Sequence, residues 1–66
     1  MDYSCISKRL IEARGEKSKT EVAKDIGISV SALSMYESCD RIPRDEVKEL
    51  LAKYYGLTVG FLFFNE

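Results

Sequence analysis

The segment "SKTEVAKDIGISVSALSMYE", Ser18 to Glu37, carries the strongest local signals in the chain. Its pattern predicts two short helices, about Lys19 to Ile26 and about Ser29 to Ser38, with a glycine between them. The second of these helices is unusual, because 32% of the chain is charged and yet Ser29 to Tyr36 contains no charged residue. An uncharged helix in such a highly charged chain suggests that this segment has a specific role.

The ends of the two helices are marked by residues that satisfy free backbone groups. Ser18 followed three residues later by Glu21 is a capping box, in which each side chain accepts from a free amide of the other residue. Gly27 suits the left-handed position that closes a helix. Ser29 can then act as the N-cap of the next helix.

Two helices joined by a tight turn with a glycine form a helix-turn-helix arrangement. Ala23 must be small where the helices cross, Gly27 makes the turn, and Ile28 and Leu33 fill the angle between them. Helical spacing places Leu33 and Tyr36 on the inner face of the second helix. The residues on its outer face are Val30, Ser31, Ser34 and Met35.

Three further segments also have helical periodicity. They run from about Ser4 to Arg14, from about Arg44 to Tyr55, and from Val59 to about Phe64. Thr58 can cap the last of these segments. We therefore expect an all-α, five-helix protein in which residues 1–66 form a single domain. The clearest apolar stripe predicted to face the core consists of Val47, Leu50, Leu51 and Tyr54.

Composition excludes several classes of protein. No apolar run approaches the ~20 residues of a membrane span, and the N-terminus lacks a secretory signal. The chain has no histidine, and its two cysteines, Cys5 and Cys39, form no zinc-binding pattern. We expect a cytoplasmic protein with reduced thiols and no metal, cofactor, small-molecule substrate or catalytic residue. A redox switch at Cys39 is a minor alternative.

The chain resembles the lambda-repressor/Cro-like (XRE-like) helix-turn-helix family of bacterial and phage regulators. The matching runs are "SKTEVAKDIGISVSALSMYE", "RIPRDE", "LAKYYGL" and "TVGFLF", which cover nearly the whole chain. The resemblance implies a five-helix domain whose third helix enters the major groove of double-stranded DNA.

The resemblance also implies roles for individual residues. Val30, Ser31, Ser34 and Met35 would face base edges, and the basic residues around them would contact phosphate. Arg14 would pair with Glu37, although an exposed surface pair of little energetic value is the alternative. The residues expected at phosphates are Ser18, Lys19, Arg41 and Arg44.

Some positions depart from the family pattern. The second helix starts with Lys19 where the family usually has glutamine. The contact of this residue with DNA should therefore be more electrostatic. Cys39 replaces a common glycine, and a positive φ there would strain it. Asp45 and Lys48 stand where apolar residues are frequent.

The last segment contains more phenylalanine than a short helix can bury. Val59 and Leu62 are expected to fill the core, which leaves Phe61 and Phe64 for a contact surface. We expect a symmetric homodimer through this surface, with two recognition helices about one DNA turn (~34 Å) apart. The alternative is that these rings only close a thin core.

Taken together, the residues and the resemblance predict a sequence-specific transcriptional regulator that acts as a repressor. The alternative is a helical protein-interaction module, such as an antitoxin that binds a toxin or another regulator. The net charge of −1 favours this alternative, since DNA-binding domains are usually basic.

Overall fold

The computed structural model describes residues 3–64, with side chains from residue 8 onward. This part of the chain forms five helices, and their bounds agree closely with the segments expected from the sequence. They are α1 (Tyr3–Arg14), α2 (Lys19–Ile26), α3 (Val30–Glu37), α4 (Asp45–Tyr55) and α5 (Val59–Phe63).

The predicted N-caps of three helices are confirmed. Ser18 Oγ accepts a hydrogen bond from the amide of Glu21, and Ser29 Oγ accepts one from Ala32, each at 3.0 Å. Thr58 Oγ1 caps α5 in the same way through the amide of Phe61, also at 3.0 Å. Each of these helices therefore starts where a short polar side chain replaces a missing backbone acceptor.

Gly27 ends α2 in the left-handed conformation, with φ of 81°. The amides of Gly27 and Ile28 both donate to the carbonyl oxygen of Ala23, each at 2.9 Å. This closure turns the chain sharply, so that only three residues separate α2 from α3. The glycine is required by the backbone and not by crowding, because a Cβ added there would meet nothing within 4 Å.

The core lies where all five helices meet. Helix α2 packs on α3 and α4, α1 packs on α3 and α5, and α4 packs on α5. Ala23 is 1% exposed, which agrees with a close crossing of α2 and α3. The buried apolar residues are Leu10, Val22, Ala23, Leu33, Tyr36, Leu51, Ala52, Leu62 and Phe63, with Ile28 and Val59 packed against them.

One core expectation was wrong. Leu50 was placed on the inner stripe of α4 but is 44% exposed, while Ala52 is 4% exposed. Because α4 touches both α2 and α5, its buried arc is centred on Leu51 and Ala52, and Leu50 falls at the edge of that arc. Phe63 also belongs to the core: it is 5% exposed and extends the core at the end of α5.

Helix α1 reaches the core through Leu10 and Ala13. Leu10 is buried and Ala13 packs against the core. The side chains of Cys5 and Ile6 lie outside the described residues. Between residues 3 and 64, no helix combines the length and apolarity needed to cross a bilayer.

Candidate nucleic-acid interface

Helix α3 has two chemically different faces. Leu33 is fully buried, and Tyr36 and Glu37 are 9% and 3% exposed. On the other side, Val30 and Ser31 are exposed, and Ser34 and Met35 are intermediate. These four residues, Val30, Ser31, Ser34 and Met35, form a neutral surface that we call the α3 outer face.

Met35 lies on this outer face and not in the core. It belongs neither to the buried cluster nor to the partly buried residues packed against that cluster. Its carbonyl oxygen accepts from the amides of Asp40 and Arg41, at 3.0 and 3.3 Å. The chain after α3 therefore folds back on the last turn of the helix and holds Arg41 near its C-terminal end.

The N-terminus of α2 lies beside the α3 outer face. Lys19 Nζ donates to Ser34 Oγ at 3.3 Å, although the two residues belong to different helices. Ser18, just before Lys19, is exposed while its hydroxyl caps the helix. A residue predicted to contact phosphate and a residue predicted to face bases are thus in direct contact.

The loop between α3 and α4 carries two of the expected basic residues. Arg41 and Arg44 are both exposed, and the proline between them, Pro43, is buried and anchors the loop. Cys39 has φ of 64°, so the site does require the left-handed conformation that a glycine would adopt at lower cost.

Arg14 and Glu37 form a two-pronged ion pair between α1 and α3. Arg14 Nε lies 2.8 Å from Glu37 Oε2, and Nη2 lies 3.2 Å from Oε1. The Glu37 side chain is 3% exposed, so the alternative of an exposed surface pair is wrong. The hydrogen bond to Glu37 raises the pKa of Arg14, and burial opposes it more weakly.

Arg14 also orients the loop that leads into α2. Its Nη1 donates to the carbonyl oxygen of Lys17 at 2.7 Å. One guanidinium therefore contacts the last residue of α3, Glu37, and also Lys17 in the loop before α2. Together, these contacts of Arg14 fix the start of α2 relative to α3.

Sequence reasoning missed a polar network between α2 and α4. Lys17 Nζ donates to Tyr54 Oη at 2.9 Å, and Tyr54 Oη donates to Asp25 Oδ2 at 2.7 Å. The hydrogen bond to Tyr54 raises the pKa of Lys17. Lys17 and Tyr54 are 37 positions apart, so no local pattern signals this contact.

Tyr55 has a different environment from its neighbour. Its hydroxyl is buried and has no hydrogen-bond partner among residues 8–64. Burial, followed by the negative charge of Glu37, raises the pKa of Tyr55 to about 12. The positive charge of Arg14 acts in the opposite direction.

The two phenylalanines singled out from the sequence are exposed. Phe61 is 39% and Phe64 57% exposed. Arg9 Cζ lies 4.5 Å from the centre of the Phe61 ring, and Lys48 Nζ lies 4.7 Å from that of Phe64. Lys48 occupies a position where the family often has an apolar residue. Its amine lies over an aromatic ring, and its side chain is only 13% exposed.

The crossing of α2 and α3, the turn at Gly27 and the exposed outer face define a helix-turn-helix protein. A family model described as helix-turn-helix matches residues 8–62. The chain therefore belongs to the helix-turn-helix family of lambda-repressor/Cro-like (XRE-like) DNA-binding regulators, and its five helices have the all-α fold of that family. No curated protein and no solved structure matches the chain significantly.

Proposed function

We propose that the protein is a sequence-specific transcriptional repressor that inserts α3 into the major groove of its operator. The observation that carries this proposal is the α3 outer face, a neutral surface of small and flexible side chains with Lys19 at Ser34 and Arg41 next to the last turn of the helix. The major groove of B-DNA is wide enough to admit an α-helix, and cations beside that helix can then approach the phosphates.

Two sets of residues have different roles in this proposal, one in base contacts and the other in phosphate contacts. Ser31 and Ser34 can donate to or accept from base edges, and Val30 and Met35 can contact thymine methyl groups. Phosphates would be bound by Lys19, Arg41 and Arg44, and by Ser18 with the free amides at the start of α2. Phosphate contacts fix the register of the protein, whereas base contacts select the sequence.

The repressor is proposed to act as a homodimer. Phe61 and Phe64 are exposed at the end of α5, and an exposed aromatic pair marks a contact surface. A two-fold axis through this surface would present two copies of α3 to successive turns of the major groove. In this proposal residues 1–66 act as one cytoplasmic DNA-binding domain without catalytic activity or cofactor.

A second candidate function is a protein-interaction module that binds a toxin or another regulator. The net charge of −1 favours it, because non-specific attraction to DNA depends on excess positive charge. Exposed apolar side chains outside α3, such as Leu50 on α4 and Ile42 in the loop before α4, would be available to a protein partner.

The two candidates are separated by fluorescence anisotropy with duplexes selected from a random pool at about 50 mM salt. The repressor proposal expects binding that Ser31→Asp abolishes, because a negative charge on the α3 outer face repels DNA. Leu50→Asp adds the same charge on α4 and should leave most of the affinity. If no duplex is bound even at low salt, the protein-interaction module is the better description.

A further inference from the structure

The contact between Lys19 and Ser34 has a consequence for which bases can be read. Lys19 Nζ lies 3.3 Å from Ser34 Oγ, and both side chains are only partly exposed. A lysine ammonium has three donors and no acceptor. The serine hydroxyl has one donor and two acceptor sites, and the ammonium occupies one of these acceptor sites.

We infer that Lys19, beyond its proposed contact with phosphate, acts with Ser34 as a donor pair that selects guanine at one position of the operator half-site. With Lys19 donating to Ser34 Oγ, the hydroxyl proton of Ser34 is available to donate outward. Two donor groups then lie side by side, one neutral and one charged. This inference rests on the proposed function, since it assigns a base to a helix proposed to enter the major groove.

Guanine fits this pair better than the other bases. Its major-groove edge offers two adjacent acceptors, N7 and O6. Adenine presents one acceptor, N7, beside an amino donor, and cytosine presents an amino donor alone, so neither base offers two acceptors to the pair. Thymine offers the single acceptor O4 beside a methyl group.

The charge on the remaining α3 surface supports this assignment. Between Ser29 and Tyr36 there is no carboxylate that could accept from a base amino group. The next acidic residue, Glu37, is 3% exposed and bound to Arg14. The ammonium of Lys19 therefore acts on a surface without a competing acidic side chain of α3.

The inference is tested by selecting bound duplexes from a random pool with the wild type and four variants. Lys19→Met removes the ammonium, and Ser34→Ala removes the hydroxyl. Ser34→Thr keeps a hydroxyl on the same helix position, and Lys24→Met removes an exposed lysine further along α2. The wild type should select guanine at one position of each half-site.

Both Lys19→Met and Ser34→Ala should lose that guanine preference by about 5- to 150-fold, at the same position and without changing the others. Ser34→Thr and Lys24→Met should keep it. Replacing the selected guanine by 7-deazaguanine should weaken the wild type but not Ser34→Ala. A lysine that only binds phosphate would instead lower affinity equally for all sequences.

The inference is overturned if the wild type selects adenine or cytosine opposite Ser34. It is also overturned if the two substitutions change different positions, or change no position, while binding persists. Those results would leave the repressor proposal intact. If the wild type binds no duplex at all, the proposed function and the inference both fail.

Discussion

Arg14 donates two hydrogen bonds to the buried carboxylate of Glu37, at 2.8 and 3.2 Å. The pair joins α1 to the last residue of α3, and the same guanidinium holds the loop before α2 through Lys17. A charge that is 3% exposed is stable only with a well-placed partner. This pair therefore sets the position of α3 relative to the start of α2.

Removing the arginine should destabilise the fold. Arg14→Met takes the guanidinium away from the buried carboxylate of Glu37, and we expect a loss of about 2–4 kcal/mol in the free energy of unfolding. Urea denaturation followed by circular dichroism measures this value. Lys24→Met, at an exposed lysine of α2, should change it by less than about 0.5 kcal/mol.

The double variant Arg14→Met/Glu37→Gln separates the pair from the arginine side chain alone. With the buried charge removed, it should be about 1–2 kcal/mol more stable than Arg14→Met. Equal stability of Arg14→Met and the double variant would show that the carboxylate of Glu37 carries no penalty in the absence of Arg14.

Cys39 offers a stabilising substitution. It has φ of 64°, a conformation that strains a residue with a Cβ. Cys39→Gly should raise the free energy of unfolding by about 0.5–1 kcal/mol. Thermal and urea unfolding should both detect the change.

Cys39→Ala is the matched control, since it removes the sulfur but keeps the Cβ and hence the strain. It should not be more stable than the wild type. If alanine stabilises as much as glycine, the sulfur and not the backbone is responsible.

The local features of this fold could be predicted from sequence because they depend on neighbouring residues. A serine before a helix and a glycine after it satisfy backbone groups within one turn. Ser18, Ser29, Gly27 and Thr58 therefore have the predicted roles, and the helix bounds follow from them.

Features that depend on distant contacts could not be predicted in this way. The exposure of Leu50 follows from how α4 sits against two other helices, which its own periodicity does not contain. The pairing of Arg14 with Glu37 was expected from the family resemblance and not from a local pattern, and the burial of Glu37 follows only from the packing of α1 on α3. The contact between Lys19 and Ser34 depends on the crossing of α2 and α3. Residue types alone therefore could not predict that these two side chains meet.

Tyr55 predicts a specific response to alkaline pH. Its pKa is about 12 in the folded protein, against an ordinary value of 10.0 that applies in the unfolded chain. The unfolded chain therefore loses this proton first as pH rises. The stability due to the neutral phenol is complete below pH 10 and is lost between pH 10 and about 12.

Tyr55→Phe should remove this response. The stability of the wild type relative to the variant should fall from pH 10 to 12, as measured by urea denaturation at each pH. At pH 7 the variant should be within about 1 kcal/mol of the wild type or more stable, because the lost hydroxyl is buried without a partner. A constant difference across this range would contradict the raised pKa.

The basic residues of the loop after α3 predict the salt dependence of DNA binding. Arg44→Ala should lower affinity for specific and unrelated duplexes to a similar extent. It should also reduce the slope of log affinity against log salt concentration by about 0.9, the value for one phosphate contact. Lys53→Ala, at an exposed lysine near the end of α4, should leave the slope unchanged.

The exposed aromatic pair predicts the oligomeric state. Phe64 is 57% exposed, so Phe64→Ser should disturb the monomer little, and together with Phe61→Ser it should convert a dimer into a monomer. Sedimentation equilibrium at micromolar concentration measures this change, and circular dichroism checks that the helices remain. Ile42→Ser, at a residue 58% exposed in the loop before α4, is the matched control and should leave the dimer intact. The monomeric variant should also bind DNA more weakly, because each half-site is then bound without its partner. A wild type that sediments as a monomer, unchanged by the two substitutions, would show that these rings only cover the core.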